Sequence, residues 1–191
     1  LFDILTLDRQ KSEYFLKRVY SIKRGWFGMK LDEIRVAQVS DLDAVTKLYK
    51  TVCDHQPLDQ YGADWTWGEY PSVDGLRNYI QQDTVILGMK DGKLVAAGVL
   101  TTGEEYPQVD WPTNTADQEI GILHLFTVHP DYRRTGISQQ MIRGVLQVAK
   151  QEGKKVIHLD VLADNIPSEK LYAKVGFRVV KSLVMHYDDI G

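Results

Sequence analysis

Between an apolar run and an amphipathic one the chain carries HPDYRRTGISQQM, residues 129–141. Arg133, Arg134, Thr135, Gly136, Ile137 and Ser138 in that stretch admit two uses. One is a turn with a helix cap. The other is an anion site, because the first N–H groups of a helix lack partners and its dipole is positive there. A glycine lets a phosphate approach the backbone, and arginines add charge-assisted contacts. Neither G-x-x-x-x-G-K-[ST] nor G-x-G-x-x-G occurs, which argues against a P-loop or a Rossmann dinucleotide site. Upstream, His124 lies within the apolar run and Glu119 at its start. An imidazole exchanges protons near neutral pH, and a carboxylate can do the same through a water, so both are candidate bases. Strand alternation would put Ile122, His124 and Phe126 on one face and Leu123, Leu125 and Thr127 on the other, with a bulge altering that parity. Further on, Tyr172 follows Ser168 by four residues and Asn165 by seven, so the three can share one helical face.

Two stretches rich in acids and aromatics, 56–71 and 103–117, have no helical or strand period. They hold Asp59, Asp64, Glu69, Glu104, Glu105 and Asp110. Tyr61, Trp65, Trp67, Tyr70 and Trp111 lie among them. Acidic and aromatic walls suit a cationic amine through charge and cation–π contacts.

The elements that must position these residues can be read from periodicity. EIRVAQV (33–39) alternates as a strand, and SDLDAVTKLYKTVCDH (40–55) carries a helical apolar stripe. SVDGLRNYIQQ (72–82) is a second, short helix. TVILGMK and KLVAAGVL are strands joined at Asp91-Gly92, a type I′ hairpin signal. EIGILHLFTV (119–128) is a mostly apolar strand. A helix then runs to about Gln151, with Gly153 as its stop. KVIHLDVL (155–162) is a buried strand, NIPSEKLYAKVG (165–176) a short helix with Pro167 in its first turn, and FRVVKSLVMHYD (177–188) a final strand. A strand, crossover helix and strand over 119–162 implies a parallel pair, while the hairpin is antiparallel. The fold class is therefore α/β, a mixed and mostly antiparallel central sheet with helices on both faces.

Residues 1–28 read as an N-terminal extension of one or two helical pieces ending at Gly25 or Gly28, an accessory element or a misassigned start. A compact domain over 29–191 follows. If ordered, the extension should pack on that domain or on a second copy in a homodimer.

The 191 residues suit one domain, 43% of them hydrophobic and 26% charged. A net charge of −3 and the lack of a basic stripe argue against a nucleic-acid partner. The single cysteine, Cys53, cannot form an internal disulfide, and no Cys/His zinc spacing exists, so no metal is expected. No apolar stretch nears the ~20 residues that span a membrane, and charges interrupt every apolar run of residues 1–28. A cytoplasmic protein without a membrane partner is expected.

HLFTVHPDYRRTGIS resembles motif A of the GNAT superfamily of N-acetyltransferases, [Q/R]-x-x-G-x-[G/A]. Arg133, Gly136 and Ser138 fall on its three defined positions, Ser138 departing from the family's glycine or alanine. LDVLADNIPSEKLYAKVGF resembles motif B through Asn165, Tyr172 and Gly176-Phe177, and the likeness extends over residues 33–187. WTWGEYP at 65–71 is similar to one subgroup. The resemblance implies the GNAT fold, acetyl-CoA as cosubstrate and transfer of acetyl to a primary amine of a small cationic acceptor. A protein or peptide acceptor, or a non-catalytic module that binds CoA or an amine, are the alternatives. It places the pyrophosphate on the amides of Arg134 to Ser138 and the pantetheine arm between the strands at 120–128 and 156–162. Phe126, Thr127, Val128, the residues 133–138, Asn165 and Ser168 are the implied acetyl-CoA positions. Tyr172 matches the tyrosine that hydrogen-bonds or protonates the CoA sulfur. His124 or Glu119 would serve as base, since such proteins often use a carboxylate near this strand.

Overall fold

The computed structural model describes residues 2–8 and 28–184. Asp91 and Gly92 both have positive φ, 49° and 69°, the type I′ geometry that matches strand twist. Thr84–Lys90 (β3) and Lys93–Thr102 (β4) thus form the expected hairpin, flanked by Glu33–Val36 (β2) and Ile120–Val128 (β5). Val156–Leu162 (β6) lies parallel to β5, and Arg178–Leu183 (β7) is at the far edge. With Phe2–Asp8 (β1), the order is β2-β3-β4-β5-β6-β1-β7. Every pair except β5–β6 is antiparallel.

Helices cover both faces. Leu42–His55 (α1) and Val73–Gln82 (α2) bury Val45, Leu48, Tyr49 and Leu76 against Val85, Leu87, Ala97 and Val99. Ile137–Gln151 (α3) and Ile166–Val175 (α4) bury Ile137, Met141, Val145 and Tyr172 against Ile86, Ala96, Leu123 and Leu159. Residues 85 and 87 serve one layer and residue 86 the other, as period-2 alternation requires. The stops also sit where expected, with Gly153 and Gly176 left-handed at φ 79° and 105°. Among the described residues no helix is long and apolar enough to cross a membrane.

The N-terminal expectation needs correction. Phe2–Asp8 is a strand, not a helix, and it pairs with both β6 and β7 inside the sheet. Leu5 and Leu7 are buried on the α3 side, and Ile4 packs with Tyr106, Val109 and Ile122 on the other. An interior strand buries both faces, so its short apolar run lacks the alternation that separates strand from helix. The boundary drawn at Met29 fails for the same reason, since β1 shares the sheet with 33–183. Residues 9–27 of that expectation lie outside the described residues.

The sheet is irregular at one place. Val99 pairs with His124 and Ala97 with Thr127, so β5 carries one more residue than β4 across this step. Leu125 takes up the bulge with φ 48°, an uncommon value for a residue with a branched side chain. The fully buried Tyr49 of α1 donates its hydroxyl to the Leu125 carbonyl at 2.7 Å. The bulge also corrects the strand's parity. His124 stays on the α1 side, where Leu125 joins it, but Phe126 turns to the α3 side and packs beside Leu123. Just before it, β5 and β6 part. Their pairs are Ile120–Val156, Gly121–Ile157 and Ile122–His158, after which no further pair forms.

The 103–117 loop is pinned to the sheet by Trp111, which stacks on His158 at 3.4 Å and 8°. His158 is 1% exposed and neither ring nitrogen has a hydrogen-bond partner among the described residues. Glu104 Oε2 lies 3.4 Å from Nδ1 without hydrogen-bond geometry.

Two predictions come from these features. Tyr49→Phe leaves a buried carbonyl unpaired at a strained residue and should cost about 1–3 kcal/mol in urea unfolding; an unchanged stability would show that the bulge does not need this bond. Burial pushes the His158 imidazole down to about 4, so the folded chain keeps it neutral where the unfolded chain takes a proton. Its contribution is intact above the ordinary histidine value of ~6.5 and is lost as pH falls toward 4. Burial raises the Glu104 carboxyl, and this works in the opposite direction. His158→Phe keeps the stack on Trp111 and should flatten the fall in stability over that window; an identical pH profile would remove His158 as its source.

Candidate active site

Where β5 and β6 separate, a cavity of about 660 Å³ opens toward the α1 and α2 face. Its β5 wall is Leu123 to Phe126, its β6 wall Asp160 to Leu162, and Asn165, Ser168 and Tyr172 of α4 close one end. Asp64, Trp65, Glu69 and Tyr70 from the 56–71 stretch, Tyr79 of α2, and Glu105 and Tyr106 from the 103–117 loop form the remaining wall. Strands that diverge leave main-chain groups facing the gap without a cross-strand partner, so an extended chain with amides can lie between them.

His124 stands on the cavity wall with Nε2 3.0 Å from Glu105 Oε1. Thr101 donates its hydroxyl to the same oxygen at 3.1 Å. Burial opposes charge on Glu105, but the bond to His124, its charge and the Thr101 hydroxyl together hold this carboxyl below its usual range. The carboxylate fixes the ring and compensates an imidazolium, the arrangement a histidine base needs. Burial raises the Asp83 carboxyl nearby, with His124 pulling it down and Glu105 pushing it up.

Tyr172 is buried, edge-on to Phe126 at 6.2 Å and Phe177 at 5.5 Å. Burial first, then the Asp160 charge, pushes its hydroxyl well above the ordinary phenol value. It therefore stays protonated and can give a proton only to a strong base. Asn165 caps α4, its side-chain oxygen accepting from Ser168 N at 3.3 Å.

The turn before α3 is shaped as an anion cradle would be. Arg134 and Gly136 are left-handed, at φ 63° and 88°. Gly136 is the N-cap and no side chain caps the helix, so the first amides of Ile137 and Ser138 remain available. Nothing lies within 4 Å of where a Cβ on Gly136 would stand. Thr135 donates its hydroxyl to Tyr132 O at 2.5 Å and holds the turn. Gln140 ties the 29–31 segment to the same helix, giving a bond to Met29 O at 2.7 Å and receiving one from Leu31 N at 3.0 Å.

Several expected residues stand elsewhere. Glu119 ends the short turn Asp117–Glu119 and pairs with Lys155 Nζ at 2.6 Å. It lies five residues before His124, about 16 Å along the strand at ~3.3 Å per residue, and takes no part in the cavity wall. The Arg133 guanidinium does not face the cradle. It grips both oxygens of Asp59 at 2.6 and 2.7 Å, and Asp59 also meets His55 Nδ1 at 3.0 Å. Asp59 is thus removed from the acceptor wall by an oppositely charged neighbour. The Thr127 and Val128 side chains are buried, Val128 beneath α3, and only their backbone is near the gap. Glu104 and Trp111 support the loop from behind. Conversely, Asp160 and Tyr106 belong to the cavity although the sequence did not single them out. A lone acid inside the apolar KVIHLDVL run was the available signal, since aspartate is seldom buried without a role.

A model described as the Acetyltransferase (GNAT) family matches residues 47–177. The N-alpha-acetyltransferase of Sulfurisphaera tokodaii is 24% identical over 162 residues, 82% of this chain and 86% of that protein. An N-acetyltransferase of Methanocaldococcus jannaschii is 29% identical over 68 residues, and the match spans 36% of this chain and 30% of that relative. In fold, the chain is similar to AAC(6')-Iy in complex with a bisubstrate analogue, CoA-S-monomethyl-acetylneamine. The TM-score is 0.61 at 18% identity, covering 81% of this chain and 95% of that one. The family match runs from α1 through α4, more than half of the sequence, and the chain belongs to the GNAT family of acetyltransferases.

Proposed function

We propose that the protein moves an acetyl group from acetyl-CoA to a primary amine of a small cationic acceptor. The observation that carries this reading is the split between β5 and β6. It leads from the uncapped turn before α3 into a cavity walled by Asp64, Glu69, Glu105 and Asp160. Among the described residues lining that cavity there is no lysine or arginine, so its field favours a cation. Amides of Arg134 to Ser138 would hold the pyrophosphate, and the diverging strands would hold the pantetheine arm. When bound, acetyl-CoA supplies an activated acyl group as a thioester.

The chain's own residues then manage protons. The acceptor's ammonium must lose one proton, to water, to become a neutral nucleophile, and a second as its nitrogen bonds the carbonyl carbon. His124, oriented by Glu105, takes the proton released on attack. The C–S bond breaks, sulfur carries the electron pair, and Tyr172 donates to it. Charge on sulfur develops only as that bond breaks, so this hydrogen bond strengthens toward the transition state. The similarity to the N-alpha-acetyltransferase of S. tokodaii favours a second reading, in which the acceptor is the N-terminal amine of a peptide. The small-amine reading rests instead on the aromatic wall of Trp65, Tyr70 and Tyr79 beside the carboxylates, and on the fold likeness to an acetyltransferase bound to a bisubstrate analogue.

An acetyl-CoA-dependent thiol-release screen over polyamines, aminoglycosides, amino acids and peptides tests the proposal, and release with a cationic small amine is expected. Tyr172→Phe should then lower kcat by about 10²-fold, the low end for a lost general acid, while acetyl-CoA affinity barely moves. Release with peptides alone would favour the second reading. Absence of release with every amine, or an equal loss of kcat and acetyl-CoA binding in the variant, would overturn the assignment.

A further inference from the structure

The last β5–β6 pair, Ile122 with His158, fixes how the two walls of the split correspond. Two residues further along β5 is His124, and two residues further along β6 is Asp160. Alternation returns both to the face of that last pair, and since the strands are parallel they stand at equivalent positions on opposite sides of the opening. Both line the cavity.

Asp160 is held in place. Tyr106, only 4% exposed, donates its hydroxyl to Asp160 Oδ1 at 2.8 Å. Tyr106 is itself fixed from two directions: its amide donates to Glu104 Oε1 at 2.6 Å, and its ring meets Trp111 edge-on at 6.3 Å. Trp111 in turn lies flat on His158. The same loop thus carries Glu105 to His124 and Tyr106 to Asp160, one partner for each wall. The charge on Asp160 is also close enough to raise the hydroxyls of Tyr172 and Tyr70, burial being the larger cause for each. All three residues line the same cavity.

We propose that Asp160, oriented by Tyr106, is the carboxylate against which the acceptor's ammonium docks, opposite His124 across the β5–β6 split. This rests on the amine-acetyltransfer reading and adds the group that selects and positions the amine. A carboxylate beside the thioester lowers the cost of bringing an ammonium into a water-poor cleft. It holds the nitrogen near the carbonyl carbon while His124 receives the proton. No bond to Asp160 is made or broken.

Steady-state kinetics with spermidine and, as a monoamine, tyramine, together with acetyl-CoA calorimetry, test the assignment. Asp160→Asn should raise the KM of both amines by about tenfold or more, the loss of one charge-assisted hydrogen bond, with acetyl-CoA affinity unchanged. Tyr106→Phe should raise them less, by about threefold, as a neutral bond to the carboxylate is lost. Asp160→Glu keeps the charge and should retain most of the amine affinity, which a merely structural carboxylate would not predict. Amine KM values that stay at the parent level in Asp160→Asn, or acetyl-CoA binding that weakens in step with them, would overturn the proposal. If the parent chain acetylates no amine at all, the underlying reading fails and this inference fails with it.

Discussion

The hydrogen bond from the Tyr49 hydroxyl to the Leu125 carbonyl is the contact on which the site's geometry depends. A bulge places an unpaired carbonyl and a positive φ inside the sheet, and both are costly unless neighbours compensate. Tyr49, reaching from α1, supplies the missing donor. With the bulge held, Phe126 turns to the α3 side beside Tyr172, and His124 remains on the acceptor side. Had β5 kept regular alternation, Phe126 and His124 would share a face, and Tyr172 would keep only Phe177 as its aromatic neighbour. The parting of β5 from β6 begins at the same level. One bulge and one buried phenol thus set how Tyr172, Phe126 and His124 stand around the opening.

Charge is distributed around this site with a consistent sense. Arg133 and Lys155 are paired away from the cavity, with Asp59 and Glu119. The carboxylates Asp64, Glu69, Glu105 and Asp160 remain on its wall. At the other end, the start of α3 offers amides and the exposed Arg134. A molecule with an anionic end and a reactive end near a cation matches this polarity. The Arg133–Asp59 pair also joins the turn before α3 to the stretch after α1, one guanidinium nitrogen reaching both carboxylate oxygens, so the two halves of the site are braced by an ion pair.

Much of this was legible in the sequence where local rules decide. The Asp91-Gly92 hairpin, the left-handed stops at Gly153 and Gly176 and the stripe of α3 each depend on a few neighbouring residues. His124, Tyr172 and Gly136 sit on elements of this kind, so their places along the chain could be read from local pattern. What sequence concealed is non-local. Leu125 resembles any strand leucine, and its bulge exists because of Tyr49, 76 residues away. The run at Phe2–Asp8 gives no period because both its faces are covered by the fold itself. Glu119 and Arg133 had the right chemistry but are claimed by Lys155 and Asp59, partners that only the folded chain brings near. Asp160 acquires its place from a loop tyrosine 54 residues earlier.

A crystal structure of the protein with CoA would show whether the cosubstrate lies in the split between β5 and β6. Pyrophosphate density is expected on the amides of Arg134 to Ser138, the pantetheine arm between β5 and β6, and sulfur within hydrogen-bond reach of the Tyr172 hydroxyl. CoA bound away from the split, or β5 and β6 zipped together past Ile122 and His158 with CoA present, would contradict this placement.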